Sequence, residues 1–215
     1  KIDRIISKPF AENINLLNSN KKLKNFITIN IGNELSTISL CQDSSLVFFK
    51  TFPFGSNSIY SDINQLCSLS KNETKTIIEN LENNKSIYID RKFFVNSDFK
   101  KISLNHFKEI INVRIKEMLN YTFNNNKDLN YYEKKIGKIN IFFEDVDIYK
   151  NLGEIFKSYI DLNDRKILVE NFTDNDLGTL YGAAELIFKG WPNEALPFSI
   201  KKKSIISGFF DRFFS

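Results

Sequence analysis

Residues able to do chemistry are sparse in this 215-residue chain. The single histidine, His106, is alone, so a zinc site is not expected, since zinc takes several such ligands at once. It reads as a solvated polar residue near the start of a helix. No Ser/His/Asp or Cys/His set can be assembled for nucleophilic catalysis. What the residue types do support is binding, and it is concentrated in "KKKSIISGFFDRFFS", which closes the sequence. At about 100° per residue, Ile205, Ile206, Phe209, Phe210, Phe213 and Phe214 share about 180° of arc. Ser204, Ser207, Gly208, Asp211, Arg212 and Ser215 fill the other half, and Lys201, Lys202 and Lys203 stand before it. A basic flank followed by a half-apolar, aromatic-rich helix is the composition of an anchor lying in the plane of a membrane interface.

Magnitudes decide how such an anchor works. Each lysine contributes about 1 kcal/mol near an anionic leaflet. A fully buried Phe contributes roughly 1.5–3 kcal/mol. The helix must also order itself out of a linker, which opposes both terms. One copy then binds modestly, and several copies on one assembly bind by avidity. The opposing reading is a terminal helix packed on its own domain. The stretch "WPNEALP" weighs against it, because Pro192 and Pro197 discourage helix and separate the tail from the fold.

The elements that precede the tail alternate in type. "FITINIG" (Phe26–Gly32) reads as a strand, and "LSTISLCQ" and "LVFFKTFPF" complete a three-strand meander. "GSNSIYSDINQLC" reads as a loop entering a helix with Asn57 or Ser58 as N-cap. "SKNETKTIIENLENN" is a second helix, opened by Ser70 and Glu73 in a capping-box pattern. "SIYIDRKFFV" reads as a weaker strand. In "SLNHFKEIINVRIKEMLNYTF" the apolar Phe107, Ile110, Ile111, Met118 and Leu119 recur at helical spacing. "NNNKDLNYYEKK" reads as a polar loop. Strand "KINIFFE", helix "DIYKNLGEIFKSYI", strand "KILVE" and helix "DNDLGTLYGAAELIFKG" follow. A meander and then alternating strand and helix predicts an α/β layered fold with a mixed sheet.

Composition sets outer bounds. Apolar content of 42% and charged content of 26% are ordinary for a globular protein. The net charge of +4 is too small to mark a nucleic-acid binder unless it clusters. Cys41 and Cys67 suggest no disulfide framework, which makes a reducing cytoplasm the default. No apolar run is long enough to span a bilayer as a helix. The sequence starts at Lys1 rather than Met, in keeping with the back part of a longer protein.

Four segments in order carry a resemblance. "FITINIGNELSTISL" sits where the actin/hexokinase/Hsp70 ATPase superfamily has a strand entering an Asp-Ile-Gly-Gly-Gly-Thr loop. "FPFGSNSIYSDI" looks like its Ile-Pro-x-Gly-Gly-Asn-x-x-Thr-x-Asp-Ile. "EIINVRIKEML" is similar to its long helix, and "LGTLYGAAELIFKG" resembles its closing helix. Within that superfamily the set, with the basic linker and amphipathic tail, most resembles the C-terminal half of FtsA, the bacterial cell-division actin homologue. The resemblance implies an actin-like ATPase fold of ribonuclease H-like type, a second large domain with a smaller inserted subdomain. It places the first part of subdomain 2A at 1–67, subdomain 2B at 68–135, and the rest of 2A at 136–190. A linker at 191–203 and a membrane-targeting helix at 204–215 follow.

The resemblance also locates a nucleotide cleft, which here looks eroded. In the family, glycines let backbone N–H groups approach phosphates that side chains would block. Gly32 and Gly55 remain. Asn30 replaces the family's acid, Asn33 and Glu34 replace glycines, Leu35 replaces the hydroxyl residue, and Ser56 replaces a glycine. "FED" (Phe143, Glu144, Asp145) stands where a Gly-Gly pair would pass under the adenosine. A Glu34 carboxylate facing phosphate repels it unless a cation intervenes. Glu117 falls at the helix position that meets ribose or base. Gly32, Asn33, Gly55 and Glu117 are therefore the nucleotide-binding candidates, with ATP binding weak or lost. The alternative for Arg114 and Glu117 is an ordinary surface pair three residues apart.

The family's partner is the C-terminal peptide of the tubulin-like ring protein FtsZ, bound by the inserted subdomain. Arg114 and Lys108 are the candidate contacts, against the alternative of a solvated helix face. The resemblance implies a tether that self-associates into filaments and joins the ring to the cytoplasmic face of the cell membrane at the division site. The competing expectations are an active actin-fold ATPase of PilM-like or sugar-kinase type, and a plain α/β domain whose tail packs on itself.

Overall fold

The computed structural model describes residues 5–20, 22–81, 86–130, 136–160, 168–173 and 176–189. The membrane-anchor candidates Lys201, Lys202, Lys203, Ile205, Ile206, Phe209, Phe210, Phe213 and Phe214 lie outside the described residues.

Apolar residues on both faces of the central strands require cover on both sides, and the helices supply it. The described elements are α1 (Lys8–Ser19), β1 (Phe26–Ile31), β2 (Ser36–Gln42), β3 (Ser45–Phe52), α2 (Asn57–Cys67), α3 (Lys71–Glu79), α4 (Leu104–Leu119), α5 (Lys127–Asn130), β4 (Lys138–Phe143), α6 (Val146–Ser158), β5 (Leu168–Thr173) and α7 (Asp176–Lys189). One sheet of five strands runs in the order β3-β2-β1-β4-β5. The meander β1–β2–β3 is antiparallel, and β4 and β5 are parallel to β1. This is the mixed α/β architecture that the element order predicts.

Register sorts the side chains between two layers. Ile27, Ile29 and Ile31 point with Ile139, Ile141 and Phe143 into a core built with Ile59, Ile63, Ile111, Ile115 and Phe156. The alternate positions face α1, where Thr28 donates to Asn13 at 2.9 Å and Asn13 donates to Ser39 at 2.8 Å. Helix α7 crosses α1 so closely that a Cβ on Gly182 would meet the Ala11 carbonyl oxygen at 1.8 Å. Glycine is the residue that allows that crossing.

The capping box is present as the sequence predicts. Ser70 receives the Glu73 backbone N–H, and the Ser70 backbone N–H donates to the Glu73 carboxylate at 2.7 Å. That carboxylate is buried and also accepts from the backbone N–H groups of Asn96 and Ser97 and from the Ser97 hydroxyl. Burial alone would raise its pKa. The hydroxyls of Ser97 and Ser70 and the backbone donors outweigh burial and hold it well below the usual carboxylate range.

Local expectations need correction at several places. "SIYIDRKFFV" makes a single antiparallel bridge, Tyr88 to Ser103, and then a 3₁₀ turn over Arg91–Phe93. Its buried residues, Ile89 and Phe93, are four apart, so a two-residue strand period never sets in. The N-cap of α2 is Ser56, not Asn57 or Ser58, and its hydroxyl makes no cap because it donates to Asn33 Oδ1 at 3.2 Å. The predicted helix "SLNHFKEIINVRIKEMLNYTF" ends in a π-helical turn, Asn120–Asn124, and the expected loop after it contains α5. Strand β5 runs through Leu168–Thr173, sharing Leu168, Val169 and Glu170 with "KILVE" and continuing past it, while Lys166 and Ile167 lie outside the described residues. Helix α1, which no expectation covered, places a proline in its first turn and buries Ala11, Ile14 and Leu17.

Candidate functional site

The β1–β2 hairpin and the loop from Pro53 to Ser56 are joined backbone to backbone. The Ser56 N–H donates to the Gly32 carbonyl at 2.8 Å, and the Asn57 N–H donates to the Asn33 carbonyl at 3.0 Å. Gly55 lies in the seam: a Cβ there would stand 2.3 Å from the Gly32 oxygen and 2.5 Å from the Asn33 oxygen. The sequence thus brings Gly32, Asn33 and Gly55 together, and the Gly32 N–H closes the hairpin on the Leu35 carbonyl at 3.0 Å.

Two carboxylates bond to this seam, and a third, Asp145, follows the first of them in sequence. Glu144, the residue after β4, accepts the Asn33 N–H at 2.8 Å. Glu34 accepts from the Asn57 side-chain amide. Asp145 caps α6 by accepting the N–H groups of Asp147 and Ile148, and it also accepts the Tyr60 hydroxyl at 3.1 Å. Burial first, and then the Asp145 charge, push the Tyr60 phenol above its ordinary value. Lys75 on α3 pairs with Asp147 at 2.6 Å, and that hydrogen bond raises the lysine pKa.

Arg114 ties α4 to α2. Its guanidinium forks onto Asp62, with Nη2 to Oδ1 at 2.7 Å and Nε to Oδ2, and its Nη1 reaches Glu117 at 2.7 Å. The hydrogen bond to Asp62 is the largest cause of its raised pKa. The intrahelical pair with Glu117 is therefore real, and it is only half of the arrangement. A polar cavity of about 860 Å³ opens beside the hairpin, where Arg114, Asp62, Asn57 and Glu34 meet. Glu117 lines a separate cavity of about 790 Å³ with Lys116, Lys50 and Tyr121. Its bond to Arg114 links it to the first cavity.

Lys108 is exposed on the outer face of α4. His106, in the first turn of α4, has its ring Nδ1 3.9 Å from Glu109. Asn30 turns from the hairpin toward α1 and donates to the buried Glu12 carboxylate, which the Thr179 hydroxyl also approaches at 3.5 Å. Among the described residues no group of three His, Cys, Asp or Glu side chains could hold a metal ion. Among them, too, no helix is long and apolar enough to cross a membrane.

Sequence reasoning missed two partners. Glu144 is 111 residues from Asn33 and Asp62 is 52 from Arg114, so no local spacing announces either. The available signal was the chemistry: an acid standing where the resembled family carries glycine.

Solved structures share this architecture. The ethanolamine utilization protein EutJ from Carboxydothermus hydrogenoformans matches with a TM-score of 0.54 at 12% identity, over 83% of this chain and 53% of that one. Ta0583, an archaeal actin homolog, matches with a TM-score of 0.50 at 11% identity, over 84% of this chain and 55% of its own. The chain has the actin-like ATPase fold and spans about half the length of these two proteins. No protein-family model matches the sequence, and no curated protein sequence does.

Proposed function

We propose that this chain is part of a membrane tether of the FtsA kind: an actin-like scaffold that self-associates, holds the FtsZ tail, and attaches to an anionic membrane through 204–215. The observation that carries the reading is the seam at Gly55. There the glycines serve contact between two loops, whose Gly32 and Asn33 carbonyls are taken by the Ser56 and Asn57 N–H groups. A scaffold kept in shape without nucleotide suits a tether, and the tail supplies the attachment: lysines for anionic headgroups and an Ile/Phe face for the acyl boundary. Lys108 on the outer face of α4 is a reachable cation for an acidic peptide. Arg114 would have to leave Asp62 to serve the same purpose. Multiple tails on one assembly give avidity that a single helix lacks.

The alternative, an active actin-fold ATPase, draws its support from the polar cavity of about 860 Å³ beside the hairpin. Of the groups lining that cavity, Glu34 and Asp62 repel phosphate, and the two cations beside them, Lys71 and Arg114, are held on Asn57 and Asp62.

Reconstitution tests the tether. Fluorescent FtsZ is mixed with vesicles of phosphatidylglycerol and phosphatidylethanolamine, with and without the full chain. Recruitment that needs the chain and needs no nucleotide is expected. Recruitment that fails, or that requires Mg-ATP, would count against the proposal.

A further inference from the structure

We infer that Glu144 is a built-in ligand of the β1–β2 hairpin, holding the place that a phosphate oxygen would take and keeping external phosphate esters out. Three observations carry this. The Asn33 N–H points out of the hairpin and is bound by an anionic oxygen at 2.8 Å, and that oxygen belongs to the chain itself. The same Oε2 lies 3.0 Å from where a Cβ on Gly32 would stand, so it rests on the bare flank that glycine provides. The Glu144 backbone is fixed as well: its N–H donates to the Ile31 carbonyl at 3.1 Å and extends the β1–β4 ladder by one residue.

An outward backbone N–H beside a glycine is a ready anion acceptor. A carboxylate tethered next to it competes as an intramolecular ligand, at an effective concentration in the millimolar range or above. A phosphate ester in solution must displace Glu144 against the repulsion of its charge, and Glu34, the residue after Asn33 and held on the Asn57 amide, adds a second negative charge to the hairpin. The hairpin therefore keeps one conformation whether or not nucleotide is present. This rests on the fold and the hairpin geometry, so a chain that failed to bind membranes would leave it standing.

Hydrogen exchange at the Asn33 amide of the full chain tests it, with Mg-ATP as the probe. In the wild-type chain the amide is protected, and 1 mM Mg-ATP (an excess chosen on the order of weak phosphate sites) leaves its exchange unchanged. Glu144→Ala is expected to speed that exchange about tenfold, and Mg-ATP to slow it again. Unchanged exchange in Glu144→Ala would overturn the proposal. So would Mg-ATP that protects the wild type as well as the variant, or that protects neither. If Glu144→Ala does not fold, Glu144→Gln keeps the shape without the charge. Mg-ATP should then slow Asn33 exchange in that variant and not in the wild type, and equal responses would overturn the proposal.

Discussion

Gly55 and Gly32 meet backbone to backbone: a Cβ on Gly55 would lie 2.3 Å from the Gly32 carbonyl oxygen. Two loops far apart in sequence are thereby fixed to each other, and the hydrogen bonds from Ser56 and Asn57 follow from that approach. Gly55→Ala forces one loop to move away. A loss of about 1–3 kcal/mol in urea unfolding is expected, as for other overpacked sites. A loss within experimental error would mean that the seam is loose.

Arg114 acts as a fork between α2 and α4. Arg114→Ala removes the charge-assisted pair to Asp62 and should cost about 1–2 kcal/mol, part-exposure reducing the full value. Arg114→Lys should recover less than half of it, since an ammonium cannot fork onto a carboxylate. A double-mutant cycle is expected to give a larger coupling to Asp62 than to Glu117. The reverse order would assign Arg114 mainly to its own helix surface.

Glu73 makes stability depend on acid. Its folded pKa is depressed, so its contribution is complete above the ordinary value of 4.5 and is lost as pH falls through and below it. Glu73→Gln should lower the melting temperature at pH 7, and the gap to wild type should narrow as pH is taken down toward 4 (roughly the unfolded carboxylate pKa). A gap independent of pH would show that the ionised form is not what the site holds.

The two thiols should be inert in the folded chain. Cys41 is buried, and burial pushes its pKa up to about 12; Cys67 is buried and raised for the same first reason. Thiolate is the reactive form, so a disulfide reagent at pH 8 (about half a unit below the ordinary cysteine pKa) should label neither before unfolding. Rapid labelling of the native chain would contradict the packing around β2 and α2.

How much of this was legible follows from where the information resides. The strands β1 to β4, and α2, α3, α4, α6 and α7, announce themselves because their apolar periods and caps are local; Ser70 and Glu73 are the clearest case. Residues 86–95 misled because charged and aromatic residues with β propensity make a bridge and a 3₁₀ turn, held by burial of Ile89 and Phe93. Helix α1 was overlooked because a third of its buried residues are polar, Glu12 and Asn13 serving a network that only the sheet completes. At the site, Gly32 and Gly55 stood out as glycines kept from the loops of the resembled family. What they contact did not, because Glu144 and Asp62 reach their partners through tertiary structure alone.

The central claim is attachment to a membrane through the tail on a scaffold that needs no nucleotide. Sedimentation of the full chain with phosphatidylglycerol-containing vesicles, beside a chain lacking Ile205–Ser215 and without ATP, tests it most directly. The full chain is expected to pellet with the vesicles, less so as salt is raised, and the truncated chain to stay in the supernatant. Equal pelleting of both chains would contradict the account.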